Sequence, residues 1–263
     1  RNAGMACGPA LGGLLGSVVS MQTAFAAVGS SLIISAAAFG RVYRDVSPGS
    51  GGAVGTPLQL FHTAFESWHS VLTKVPNVGM LCAMSAVTNG SIAGTNLTLL
   101  PLLLSEEPLS LSTGSIGTML AANAAFAVVS GGWMGSAAQK MGPRAAIGAG
   151  TVAMSASLAI QPLVGEAPLV MVGLCGAQLG LGVLNPTLSA QIQELVTKQQ
   201  PKLVMQAMSL QNTSAFVGLV AGASLGGTIG SQFGYVAGYH ACSSVLIATG
   251  AVVALRFPAA KLP

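Results

Sequence analysis

Charged residues are excluded from eight apolar stretches of this chain, and that exclusion leaves few folds open. The stretches cover residues 4–20, 23–40, 80–104, 114–138, 145–164, 169–191, 205–231 and 234–255, and none contains Asp, Glu, Lys or Arg. Crossing the hydrocarbon core of a bilayer takes about 20 mainly apolar residues in a helix. Lipid offers no partner for backbone N–H and C=O groups, so a spanning segment is either a helix or part of a closed barrel. Barrel strands of about ten residues with strict alternation are absent. With 52% hydrophobic and only 6% charged residues, against roughly 25% charged in soluble domains, the chain cannot cover a globular surface with ions. The fold class expected is an all-α membrane protein with eight transmembrane helices.

The charges in the gaps orient those helices. All ten Lys and Arg lie on alternate gaps: Arg1; Arg41, Arg44 and Lys74; Lys140 and Arg144; Lys198 and Lys202; Arg256 and Lys261. The opposite gaps carry only Glu106, Glu107 and Glu166, or no charge. Positive residues stay on the cytoplasmic side, so both termini and the long connection 41–79 are expected in the cytoplasm. The net charge of +4 and the pI near 9.1 are then a topology signal, and nucleic acid is not an expected partner.

The chain divides at that connection into 1–40 with two spans, the loop 41–79, 80–257 with six spans, and a tail 258–263. Ser47-Pro48-Gly49-Ser50-Gly51-Gly52 reads as a flexible linker. Beyond Pro57, Phe61, Phe65, Trp68, Leu72 and Val75 recur at helical spacing opposite His62, Glu66, His69 and Lys74. This stretch is an amphipathic helix that either lies in the membrane interface or packs against the bundle. His62 and His69 read as solvent-facing. Cys7, Cys82, Cys175 and Cys242 lie within spans without metal spacing and read as small apolar residues; no metal or cofactor is expected. The sequons at Asn89, Asn96 and Asn212 fall inside helices or at a cytoplasmic end, where glycosylation does not reach.

A duplication ties the two ends together. Gly4-x-x-x-Gly8-Pro9-x-x-Gly12-Gly13-x-x-Gly16-Ser17 returns 214 residues later as Gly218-x-x-x-Gly222-x-x-x-Gly226-Gly227-x-x-Gly230-Ser231. At the same offset Ala27, Ser30, Leu32, Ile33 and Ala37 match Ala241, Ser244, Leu246, Ile247 and Ala251, so a helix pair is repeated in one orientation. Small residues four apart line one helical face and let two backbones approach closely. The second copy closes a block of six spans, so the first should close a block of six as well, of which two are present.

Two six-helix halves, a long cytoplasmic loop between them and Gly8-Pro9-Ala10-Leu11-Gly12-Gly13 in a fifth helix resemble the major facilitator superfamily of secondary transporters. Gly135-Ser136-Ala137-Ala138-Gln139-Lys140-Met141-Gly142-Pro143-Arg144 resembles the family's cytoplasmic motif G-x-x-x-D-R/K-x-G-R-R. Gln139 stands where that motif has an acid and Pro143 where it has a base, which puts any charge relay in this half in doubt. The resemblance implies a partial fold of helices five to twelve: the last two helices of an N-terminal half and a complete C-terminal half. The fifth-helix motif, with Gly182-x-x-x-Pro186-x-Leu188, is similar to the tetracycline-exporter-like drug:proton antiporter branch. On this resemblance Gly4, Gly8, Pro9, Gly12, Gly13, Gly218, Gly222, Gly226 and Gly227 belong to a seam that rocks between states. Gly135, Gln139, Lys140, Gly142 and Arg144 belong to a cytoplasmic latch; ordinary packing and a topogenic basic loop are the alternatives.

Polar groups at membrane depth are costly unless they face a cavity or one another. In the family, helices one, two, four and five of a half line the pathway while three and six face lipid. The candidate substrate contacts are accordingly Asn89, Asn96, Asn123, Gln178 and Asn185, with interhelical hydrogen bonding as the rival role for each. No ionisable acid or base sits mid-span, and His240 reads as structural. A proton-coupled carrier therefore needs an acid in helices preceding this chain, which is expected to be a fragment. The expected function is transport of a small organic solute by alternating access, with protons as coupling ion for efflux. A carrier of a neutral solute such as a sugar or nucleoside, and a transport-incompetent remnant or structural membrane partner, fit the same pattern. An enzyme is not expected, because no nucleophile, base or paired acid recurs among the spans, and a channel would need a selectivity ring that the sequence lacks.

Overall fold

The computed structural model describes residues 57–257 together with Ser30 and Ile34. The spans expected at 4–20 and 23–40, the linker, the tail 258–263 and the first glycine copy (Gly4, Gly8, Pro9, Gly12, Gly13) lie outside the described residues. Among the described residues the chain is helical throughout: α1 (Pro57–Lys74), α2 (Val78–Ile92), a π-helical segment (Ala93–Leu99), α3 (Leu100–Ser105), α4 (Thr113–Met141), α5 (Pro143–Ile160), α6 (Ala167–Gln199), α7 (Val204–Phe233) and α8 (Tyr235–Arg256). Short 3₁₀ turns at Gln161–Leu163 and Pro201–Leu203 end α5 and lead into α7.

Helices α4 to α8 are each long and apolar enough to cross a bilayer by length and composition. The sixth crossing, Val78–Ser105, meets that measure only jointly with His62–Lys74 of α1, from which it is bent by 116°. Thr88, Asn89, Ser91, Thr95, Asn96 and Thr98 dilute its apolar content, so this span carries the polar load of the bundle. It is also the irregular one. Over Ala93–Leu99 the backbone widens to a π-helix, and the Thr98 hydroxyl donates to the carbonyl five residues back, at Ala93, over 3.0 Å. Single-turn π segments recur at functional positions.

One face of α1 packs against the bundle. Val71 and Val75 are fully buried and Trp68 packs on the core, while Phe65 and Leu72 stay exposed on the adjoining side. His62 and His69 are exposed, and His62 lies 3.4 Å from Glu66 one turn on.

The core gathers around α6, which packs against α2, α4, α5 and α7. Helices α5 and α8 pack on each other and α5 along α6. Gly150 and Gly180 make the α5–α6 crossing close: a Cβ on Gly180 would sit 2.7 Å from the Gly150 carbonyl oxygen. The α5–α8 crossing is held by Ser243, whose hydroxyl donates to the Ser155 carbonyl over 2.9 Å. Helices three and six of the block, which the resemblance places toward lipid, are thus better covered than expected. The α5 span is 44% buried and the α8 span 33%, against 17% for α4 and 11% for α7.

Candidate functional site

The closest helix contact is a seam between α2 and α7. Gly90 on α2 and Gly94 in the π segment that continues it sit over the Gly218 and Gly222 carbonyls of α7, where an added Cβ would lie 2.9 and 2.7 Å from the oxygens. From the other side, a Cβ on Gly218 or Gly222 would run into the backbone of Ala86 or Gly90, and one on Gly226 would lie 2.6 Å from the Gly94 Cα. Backbone therefore meets backbone along Ala86, Gly90 and Gly94, with no side chain able to yield. Gly230 continues the face one turn on, against Leu99, and Gly227 turns aside toward Thr98 at 3.4 Å. The second glycine copy spends its small face inside its own six-helix block. Its partner is the run Ala86-x-x-x-Gly90-x-x-x-Gly94, which the sequence reading left unassigned although it shows the same four-residue spacing.

The candidate amides fall into two levels. Gln211 of α7 donates to the Ser189 hydroxyl of α6 over 2.8 Å, and Gly182 of α6 faces Met134 of α4, where a Cβ would sit 3.2 Å from the Met134 Cβ. Counting about 1.5 Å of rise per residue from these crossings, Gly90, Gly218, Gly182 and Met134 share one depth. Asn89, Gln178 and Asn185 lie within roughly one turn of it. All three are half-buried, and Gln178 and Asn185, seven residues apart, share a face of α6. The Asn89 amide nitrogen donates to the Ser85 carbonyl of its own helix over 2.8 Å, which leaves its carbonyl oxygen available.

Asn96 and Asn123 are not brought to that level. Asn123 lies about 16 Å along α4 from Met134, toward the end that carries Glu106 and Glu166. Asn96 lies about 10 Å beyond Asn89, in the π segment. Both are almost fully buried, and the Asn96 Nδ2 and Asn123 Oδ1 atoms have no hydrogen-bond partner. The Asn96 Oδ1 accepts from Thr95 Oγ1 at 3.4 Å, while that hydroxyl is held at 2.6 Å by the Ser91 carbonyl. A buried amide atom without a partner costs roughly 1–3 kcal/mol, so these two positions hold unused hydrogen-bonding capacity.

At the basic end, Gly135, Gln139 and Lys140 occupy the last turns of α4 and Arg144 the first turn of α5. Gly142 joins them at φ 77° and ψ 161°, a conformation that Cβ-bearing residues avoid. Ala138, Ala146 and Val183 bury a small apolar cluster just inside this turn, with Met134 against it. Gln139 and Lys140 are exposed and Arg144 is half-buried, and among the described residues no ion pair engages either base. His240 is exposed, with its Nε2 3.3 Å from the Ala159 carbonyl, which ties α8 to α5.

The family model described as Major Facilitator Superfamily matches residues 1–200 and, in a second placement, 79–262. The chain belongs to the major facilitator superfamily. No curated protein matches it. As a major facilitator protein it is an integral, multi-pass membrane transporter, and members of the superfamily carry small solutes across the bilayer in which they sit.

Proposed function

We propose that this protein moves a small organic solute by alternating access, as proton-coupled efflux of the drug:proton antiporter type. The observation that carries the pathway assignment is the common depth of Asn89, Gln178 and Asn185 on α2 and α6. Three half-buried amides at one depth, in apolar stretches without a charged residue, offer groups that recognise hydroxyl, carbonyl or amide functions and make no demand for an ion. Asn96 and Asn123, with unpartnered atoms nearer the acidic end, act as a second polar station. Gly218, Gly222 and Gly226 hold α7 tightly against the span beginning with α2, so that the six-helix block moves as one unit, and their first-copy counterparts Gly4, Gly8, Pro9, Gly12 and Gly13 are assigned the same role in the preceding block. Gly135, Gln139, Lys140, Gly142 and Arg144 form the cytoplasmic turn.

The positive residues on alternate gaps support cytoplasmic termini and a cytoplasmic loop 41–79 between a block ending at 40 and a six-helix block over 80–257. The repeat supports numbering the eight spans as helices five to twelve. No cofactor enters this reading.

One observation favours a second reading, an uncoupled carrier of a neutral, polyhydroxylated solute: the site is built of amides, and no mid-span group can alternate its protonation. Flux of candidate solutes into proteoliposomes with and without an imposed pH gradient separates the two. Proton antiport predicts flux that follows the gradient and collapses with a protonophore. Saturable flux indifferent to the gradient would overturn antiport and leave the neutral carrier.

A further inference from the structure

Helix α1 leans back along the bundle. Its axis is bent by 116° from the span that follows, roughly 26° past perpendicular, so from Lys74 back toward Pro57 it climbs beside that span. With the span along the bilayer normal and about 1.5 Å of rise per residue in α1, Phe65 stands about 6 Å above Lys74. That is the level of the first turn of α2. The apolar stretch of the same span begins at Met80, so Phe65 lies at the depth where hydrocarbon starts.

Three flanks of α1 meet different surroundings. Val71 and Val75 are fully buried against the bundle, with Trp68 packed beside them. Phe65 and Leu72, seven residues apart and so on one flank, are 63% and 46% exposed. That flank is turned toward the rising span, for a Cβ on Gly79 would lie 3.1 Å from the Leu72 Cδ2. His62, Glu66, His69 and Thr73 line the next flank and are all exposed. The charges mark the same level: Lys74, Lys140, Arg144, Lys198 and Lys202 all stand at this end of the bundle, where basic side chains meet headgroups.

We propose that the Phe65–Leu72 flank of α1 is a membrane-binding surface, seated in the boundary between headgroups and acyl chains of the leaflet at the basic end, with the His62–Thr73 flank left in water. The partner is the bilayer that already surrounds the spans: a flank at this depth that the bundle does not cover meets lipid. An interfacial helix sinks its apolar side about 5–10 Å into that boundary. Seated so, α1 ties the connection between the two blocks to the membrane surface.

The test is spin labelling of the full chain in phosphatidylcholine vesicles, with Cys7, Cys82, Cys175 and Cys242 replaced and a nitroxide on a single cysteine at position 62, 65, 69 or 72. Oxygen concentrates in hydrocarbon and a nickel chelate stays in water, so their relative access to the label reads its depth. Positions 65 and 72 should favour oxygen, at a depth of about 5–10 Å, and positions 62 and 69 should favour nickel. A second measurement keeps the native cysteines: Phe65→Trp with Trp68→Phe and Trp133→Phe leaves one tryptophan, at position 65. Lipids brominated near the headgroup end of the acyl chain should quench it more than lipids brominated near the chain end. Nickel favoured at all four positions, a label at 65 shielded from both reagents by residues 1–40 or a second copy, or a tryptophan at 65 that neither lipid quenches would each overturn the proposal.

Discussion

Replacing Gly222 by Ala tests the seam most sharply, because one methyl group is added where only backbone can give way. Its Cβ would meet the carbonyl carbon, oxygen and Cα of Gly90, and no rotamer change relieves such a contact. Overpacking of this kind costs about 1–3 kcal/mol. The control is Gly148→Ala on α5, where an added Cβ meets nothing within 4 Å and the exchange contributes about 0.5–1 kcal/mol of helix preference. At about 2–4 °C per kcal/mol for a chain of this size, Gly222→Ala should lower the midpoint of thermal unfolding in detergent by about 2–12 °C. Gly148→Ala should leave it level or slightly raised. Gly90→Ala combined with Gly222→Ala should cost less than the sum of the two, because backbones already pushed apart accept a second methyl more readily. Fluorescence-detected size-exclusion after stepwise heating gives the midpoints. Equal midpoints for Gly222→Ala and Gly148→Ala would refute the close backbone approach on which the seam rests.

Other outcomes follow from the same contacts. Gln211→Leu removes the bond to Ser189 and should lower the midpoint by the equivalent of about 1 kcal/mol, which the same heating assay reads; an unchanged midpoint would show that the bond is replaced elsewhere. Gln178→Leu and Asn185→Leu should each raise the KM for the transported solute about three- to tenfold, the worth of one neutral hydrogen bond, with little effect on thermal midpoint. A fall in midpoint with KM unchanged would assign these amides to helix packing instead.

Much of the fold was legible because burying a charge in lipid is costly: most bounds of the last five spans follow from where Lys, Arg and Glu stop, and the break between the last two falls at Gly234. The departures have identifiable causes. Helix α6 runs on to Gln199 where the apolar stretch ends at 191, since Glu194 and Lys198, one turn apart and 2.6 Å from each other, suit an exposed helical extension. The π segment left no compositional trace, because one extra residue per turn changes hydrogen-bond register and not hydropathy. The partner of the second glycine copy was hidden by Ala86, which fills a glycine position in an otherwise matching run on α2. Polarity alone grouped the five amides; their division into levels needed the Gln211–Ser189 and Gly182–Met134 crossings, which place α6, α7 and α4 against one another.

The most direct test of alternating access is the side from which the amide level can be reached. With Cys7, Cys82, Cys175 and Cys242 replaced, a single cysteine at position 178 or 185 is exposed in oriented proteoliposomes to a membrane-impermeant maleimide, added inside or outside. A rocking pathway predicts labelling from both sides, with transported solute slowing both. Labelling from one side only, or from neither, would contradict it.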